Sequence, residues 1–110
     1  MTRGKTLYAA LALGCLAAGP VFAECVLPPA PTKIPDGNTA TEAEMVAAMQ
    51  TLKRYDGDVN TYLKCLEFEA KQNRITKDDQ SRKHNQAVDL LQSIANKFNE
   101  QVRIFKAKNG

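Results

Sequence analysis

Two long stretches of the chain alternate apolar and polar positions with a helical period. Between Thr41 and Arg74 the apolar positions are Met45, Ala48, Met49, Leu52, Tyr55, Val59, Tyr62, Leu63 and Leu66. Their spacing of three and four is that of an amphipathic helix, and on a helical wheel they fill an arc of about 140°. Thr41 followed three residues later by Glu44 is a capping-box start, and Glu42 and Glu44 suit the positive end of the helix dipole. The second stretch carries Ala87, Val88, Leu91, Ile94, Ala95, Phe98, Val102 and Phe105, with Leu90 and Ile104 on its flanks. Its arc is about 160°, wider than one neighbouring helix covers. Between the two, Asn73 is a helix-ending residue and Thr76 a helix cap followed by Asp78 and Asp79. The pattern predicts helices over residues 42–73 and 77–107. A short turn between helices of coiled-coil spacing makes an antiparallel two-helix hairpin, so the fold class expected is all-α.

The first 23 residues have a different character. Arg3 and Lys5 precede an apolar run from Leu7 to Leu16, Gly19 and Pro20 break it, and Val21-Phe22-Ala23 places small residues where a signal peptidase reads. The run is shorter than the ~20 residues that span a bilayer. Residues 1–23 are expected to be a cleavable signal peptide, leaving no stable transmembrane segment and a chain in the periplasm or secreted. Residues 24–40 contain Pro28, Pro29, Pro31 and Pro35. Their fixed φ and missing N–H exclude a helix or a central strand. An extended, polyproline-like arm is expected there, ending in a turn at Pro35-Asp36-Gly37-Asn38. The plan is thus signal peptide (1–23), arm (24–40) and helical hairpin (41–110).

Charge and cysteine content narrow this further. Removal of Arg3 and Lys5 from the 15 Lys and Arg leaves 13 against 12 Asp and Glu, a net charge of +1. No basic field of the kind that binds nucleic acid remains. Cys15 leaves with the signal, so Cys25 and Cys65 remain, and an exported chain with two cysteines most simply joins them. The arm reaches roughly 50 Å at ~3.1 Å per residue. From Thr41 to Cys65 the helix rises only roughly 36 Å, so the arm can double back. Cys65 lies about 120° from the centre of the apolar arc, on the side of Ala47 and Phe68. The arm is therefore expected over that second face, with Val26 or Leu27 shielding Phe68.

Chemistry-bearing residues are few. Gly57 interrupts good helix formers within Asp56-Gly57-Asp58 and costs ~1 kcal/mol in a helix. Counted from Asp56, oxygens at Asp56, Asp58, Asn60 and Glu67 match positions one, three, five and twelve of an EF-hand calcium loop. Against that, Thr61 stands where the loop needs Gly, Lys64 stands beside the metal, and the helical period runs through Val59, Tyr62 and Leu66. A helix with a wet acidic face is the better reading, and calcium the alternative. His84 is the single histidine, whereas zinc takes three or four protein ligands. Ser81 and Ser93 have no histidine at a suggestive spacing, so nucleophilic catalysis has no support.

The stretch from Cys25 through the prolines to Ile34-Pro35-Asp36-Gly37, then Ala40, Glu44-Met45, Tyr55, Tyr62-Leu63-Lys64-Cys65-Leu66 and Phe98-Asn99-Glu100-Gln101-Val102-Arg103, resembles an uncharacterised family of short exported proteins from proteobacteria. The resemblance spans most of residues 24–110 and implies an exported helical protein with a Cys25–Cys65 bridge. It implies no activity, and Gly57 departs from the pattern; no cofactor is expected. The function expected is non-enzymatic association in the cell envelope, as an adaptor, chaperone-like or structural protein. Its partner would be a second copy or an envelope protein, met through Tyr55, Tyr62, Leu91, Phe98 and Phe105. The alternative is a ligand-binding protein, holding calcium or a small apolar molecule between the helices.

Overall fold

A computed structural model describes residues 24–110, so the signal-peptide expectation for 1–23 lies outside the described residues. Two helices follow the arm: α1, Glu42–Lys71, and α2, Lys77–Asn109. Among the described residues there is no strand. α1 stops two residues before the expected 73, and α2 runs two past the expected 107.

Each boundary has a local cause. At Thr41 the capping box is complete. The Glu44 N–H donates to Thr41 Oγ1 at 3.1 Å, and the Thr41 N–H donates to Glu44 Oε1 at 2.8 Å. At the other end Asn73 takes a left-handed φ of 59°, which asparagine tolerates better than most residues. The Arg74 N–H then reaches the Glu69 carbonyl (2.9 Å) and the Asn73 N–H the Ala70 carbonyl (3.0 Å). These two bonds are a Schellman cap. Where such caps usually add an apolar contact, Arg74 forms an ion pair with Glu69 at 2.8 Å. Thr76 caps α2 by accepting from the Asp79 N–H at 3.0 Å. At its far end the Gly110 N–H bonds the Lys106 carbonyl and the Asn109 side chain bonds the Phe105 carbonyl, which carries the last turn past residue 107.

α1 is continuous through Gly57. A Cβ there would meet nothing within 4 Å. The Thr61 hydroxyl donates to the Gly57 carbonyl at 3.1 Å, an i to i−4 back-bond that satisfies the hydroxyl within the helix.

The two helices pack through one apolar cluster. Tyr55, Val59, Tyr62 and Leu66 of α1 enclose Ala87 of α2, and Leu52, Leu63, Ile75, Leu91 and Ile94 pack around them. The small side chain of Ala87 lets the helices approach where Val59 and Leu66 are fully enclosed. Met45 and Phe98 are buried outside this cluster. The start of α1 (Thr41, Glu42) shares a hollow with Phe105, Lys106 and Asn109, while Leu66 and Glu69 share one with Ile75 and Lys83. Full burial of a side chain of the Val or Leu class contributes about 1.5–3 kcal/mol, so Val59 and Leu66 are strong anchors of this cluster.

The arm has no regular secondary structure and completes the core. Cys25, Leu27 and Ala30 pack on the central cluster. Pro31 and Ile34 lie with Ala48 and Leu52 of α1 and with Ile94 and Phe98 of α2. The arm thus lies in the groove between both helices. The expected shielding of Phe68 does not occur. Phe68 is 54% exposed and Val26 77% exposed. The arm's apolar residues find more area between two helices than on the outer face of one. Phe68 instead lies under the Arg74 guanidinium, 5.7 Å from the ring centre.

Candidate functional site

Residues 24–40 hold the most specific contacts outside the helix ladders. Pro35 fixes the entry to a turn that Asp36 closes. The Asp36 carbonyl accepts from Thr39 (3.1 Å) and Ala40 (2.8 Å), and its Oδ1 accepts from the Asn38 N–H at 2.9 Å and the Asn38 side chain at 3.2 Å. The turn presents Gly37 to α2. Its N–H donates to Gln101 Oε1 at 2.7 Å. A Cβ at Gly37 would sit 2.2 Å from the Gln101 carbonyl oxygen and 2.8 Å from the Phe105 nitrogen. Its φ is not positive, so glycine is required here for room and not for backbone conformation. On the wheel Gln101 continues the core side of α2 beside Phe98 and Phe105, and its polar end is satisfied by the arm.

At the other end of the arm the Cys25 and Cys65 sulfurs lie at disulfide distance, with Cα atoms 5.7 Å apart across a separation of 40 residues. Cys25 borders a hollow of about 490 Å³ lined also by Glu24, Leu66, Glu69, Arg74, Ile75 and Lys83. Both cysteines are partly exposed. No hydrogen bond joins residues 24–35 to either helix among the described residues. The arm is fastened at its two ends and held between them by apolar contact.

The aromatic residues expected at an interface lie largely inside. Tyr55 is 3% exposed, Tyr62 6% and Phe98 7%; Leu91 and Phe105 are half-buried. The core of this single chain consumes the first three, because the arm and α2 close over them. The Tyr55 hydroxyl is buried without a hydrogen-bond partner. Its desolvation raises the phenol pKa above its ordinary value.

The calcium alternative meets a helix where it needs a loop. Asp56, Asp58, Asn60 and Glu67 all lie within uninterrupted α1, exposed. Eleven residues of helix rise roughly 16 Å, so Asp56 and Glu67 are not brought together, and Glu67 instead lies 3.9 Å from Lys71. Among the described residues no group of three or more His, Cys, Asp or Glu could hold a metal ion. His84, Ser81 and Ser93 lie on α2 and are all exposed. Other charges pair locally, Arg82 with Asp79 and Arg103 with Glu100, on the solvated faces.

No family model matches the chain, and neither a curated protein nor a solved structure is similar to it. The geometry therefore carries the functional reading alone. Gly37 and Gln101 lie outside the candidate site residues that the pattern suggests. Glycine beside Pro and Asp signals a turn. That the turn must dock on a backbone is a property of the assembled fold.

Proposed function

We propose that this chain is an exported, non-enzymatic protein that acts by association in the cell envelope. Residues 1–23 direct export and are removed. The remainder is an antiparallel helical hairpin whose arm is bonded to α1 through Cys25–Cys65. The observation that supports association is the side of the hairpin the arm leaves bare. The arm meets α1 at Ala47, Ala48 and Thr51 and α2 at Lys97, Gln101 and Ile104. On the opposite flank of a 100° wheel stand Met49 and Leu63 of α1 and, seven apart, Val88, Ala95 and Val102 of α2. Met49 is 39% exposed and the other four are half-buried. A thin two-layer core of this kind gains from a further layer.

The occupant proposed is a second copy, which would make a four-helix arrangement with the two arms on the outside. Sedimentation equilibrium of the protein without its signal tests this directly. A dimer that Met49→Lys or Ala95→Glu dissociates supports the reading; a monomer at tens of micromolar removes self-association. Cross-linking in intact periplasm then distinguishes a second copy from a different envelope protein. A reproducible heterologous product would make the chain an adaptor or chaperone. Among the described residues no helix is long and apolar enough to cross a membrane, so the association proposed is between proteins.

A further inference from the structure

We infer that the arm is a removable cover, released when an external dithiol reduces Cys25–Cys65. Three observations support this. Among the described residues the cover is fastened at two points, the cysteine pair and the Gly37–Gln101 bond. Between them, prolines at 28, 29, 31 and 35 offer no N–H, and residues 24–35 make no hydrogen bond to either helix. Beneath the cover lies apolar groove: Leu52, Ile94 and Phe98 under Pro31 and Ile34, and the central cluster under Leu27 and Ala30. A strap tied by hydrogen bonds along its length would stay docked after one end was cut. This one has only modest apolar contact to keep its first ten residues in place.

The cysteine pair is reachable. Both residues are partly exposed, and Cys25 borders a hollow lined by two carboxylates, Glu24 and Glu69, and two cations, Arg74 and Lys83, wide enough to admit a thiol. In the exchange, a thiolate of the dithiol attacks Cys25 Sγ. The Cys25–Cys65 bond breaks, Cys65 leaves as a thiolate and takes a proton, and a mixed disulfide stands at Cys25. The second thiol of the reductant then attacks its own sulfur in that mixed disulfide. Cys25 is freed as a thiol and the dithiol leaves oxidised, with two electrons transferred. The chemical class of the partner is a dithiol, supplied as a small molecule or by a thiol–disulfide oxidoreductase. This inference does not depend on dimer formation at the opposite flank.

Limited trypsin digestion after Lys33, an exposed residue of the arm, reads the cover directly. It is run at 25 °C on oxidised and dithiothreitol-reduced protein, with far-ultraviolet circular dichroism recorded on the same samples. The expected result is at least tenfold faster cleavage between Lys33 and Ile34 on reduction, with the helical signal kept and an apolar dye newly bound. Reoxidation restores protection. The Cys25→Ser/Cys65→Ser double variant should behave as the reduced protein without any reductant. Unchanged cleavage on reduction would overturn the inference, because the arm would then stay docked unaided. Collapse of the helical signal would also overturn it, since the pair would be a staple of the whole fold and not the fastening of its cover.

Discussion

At Gly37 a missing methyl group decides whether the arm docks. The neighbour nearest its absent Cβ is main chain, Gln101 O at 2.2 Å, which cannot rotate away. Gly37→Ala must therefore lift the turn off α2 and break the bond to Gln101 Oε1. Overpacking of this kind costs about 1–3 kcal/mol, readable as a lower urea midpoint. Gln101→Ala should cost a similar amount, about 1–3 kcal/mol, by leaving the buried Gly37 N–H without its acceptor. Gln101→Glu keeps an acceptor and should lose less. If all three variants melt like the parent, the turn is not a fastening point.

Tyr55 is the converse case, a polar group whose native surroundings give it nothing. Removing a buried unpaired hydroxyl is neutral or stabilising, so Tyr55→Phe should unfold at the same or a higher temperature at pH 7. The raised phenol pKa gives this a pH signature. Below about pH 10 the phenol is protonated in both states and adds no pH dependence. Above that the unfolded chain ionises while the folded chain holds its proton, and stability falls as pH rises toward the folded-state value. Tyr55→Phe should flatten that alkaline fall. Equal alkaline slopes in parent and variant would show that the hydroxyl reaches water.

The helices were legible from the chain because their signals are local. Thr41 with Glu44, Asn73 and Thr76 mark three of the four ends, all four fall within two residues of the expected bounds, and the apolar period fills what lies between. The fourth end, at Asn109, depends on side-chain and Gly110 bonds to carbonyls that no periodicity reports. The arm was legible as an arm but not in its resting place. Prolines carry no periodic signal, and a wheel locates Cys65 on one flank without saying that α2 completes a groove there. The burial of Tyr55 and Tyr62 was hidden for a related reason. Tyr55 and Tyr62 stand at the edge of the α1 stripe on a wheel, and that edge becomes interior once a third segment lies over it. Gly57 is a poor helix former, yet the helix passes through it, because packing on both sides outweighs a propensity deficit of ~1 kcal/mol. Since a Cβ there meets open space, Gly57→Ala should raise the unfolding free energy by about 1 kcal/mol. A loss of stability in that variant would mean that the helix is interrupted at Asp56–Asp58 in solution, and would reopen the loop reading.

At the scale of the whole molecule, closing one long loop adds to the stability of a small core. Among the described residues the buried apolar ones are Met45, Tyr55, Val59, Tyr62, Leu66, Ala87 and Phe98, few for helices of 30 and 33 residues. Small domains with so thin an interior generally need a covalent tie or a second chain. Joining Cys25 to Cys65, 40 residues apart, restricts the unfolded chain by ~4 kcal/mol in the chain-entropy account. One kcal/mol shifts the melting temperature of a domain this size by about 4–8 °C, so reduction should lower Tm by more than about 10 °C. The helices should still form at 25 °C, because their caps and the Tyr55–Leu66 cluster do not involve the bridge. Thiol titration of oxidised protein under denaturing conditions should find no free cysteine among residues 24–110. If two free thiols appear in protein taken from an oxidising compartment, the pair is not bonded there. The tie would then have to come from association, and the concentration dependence of Tm would show it.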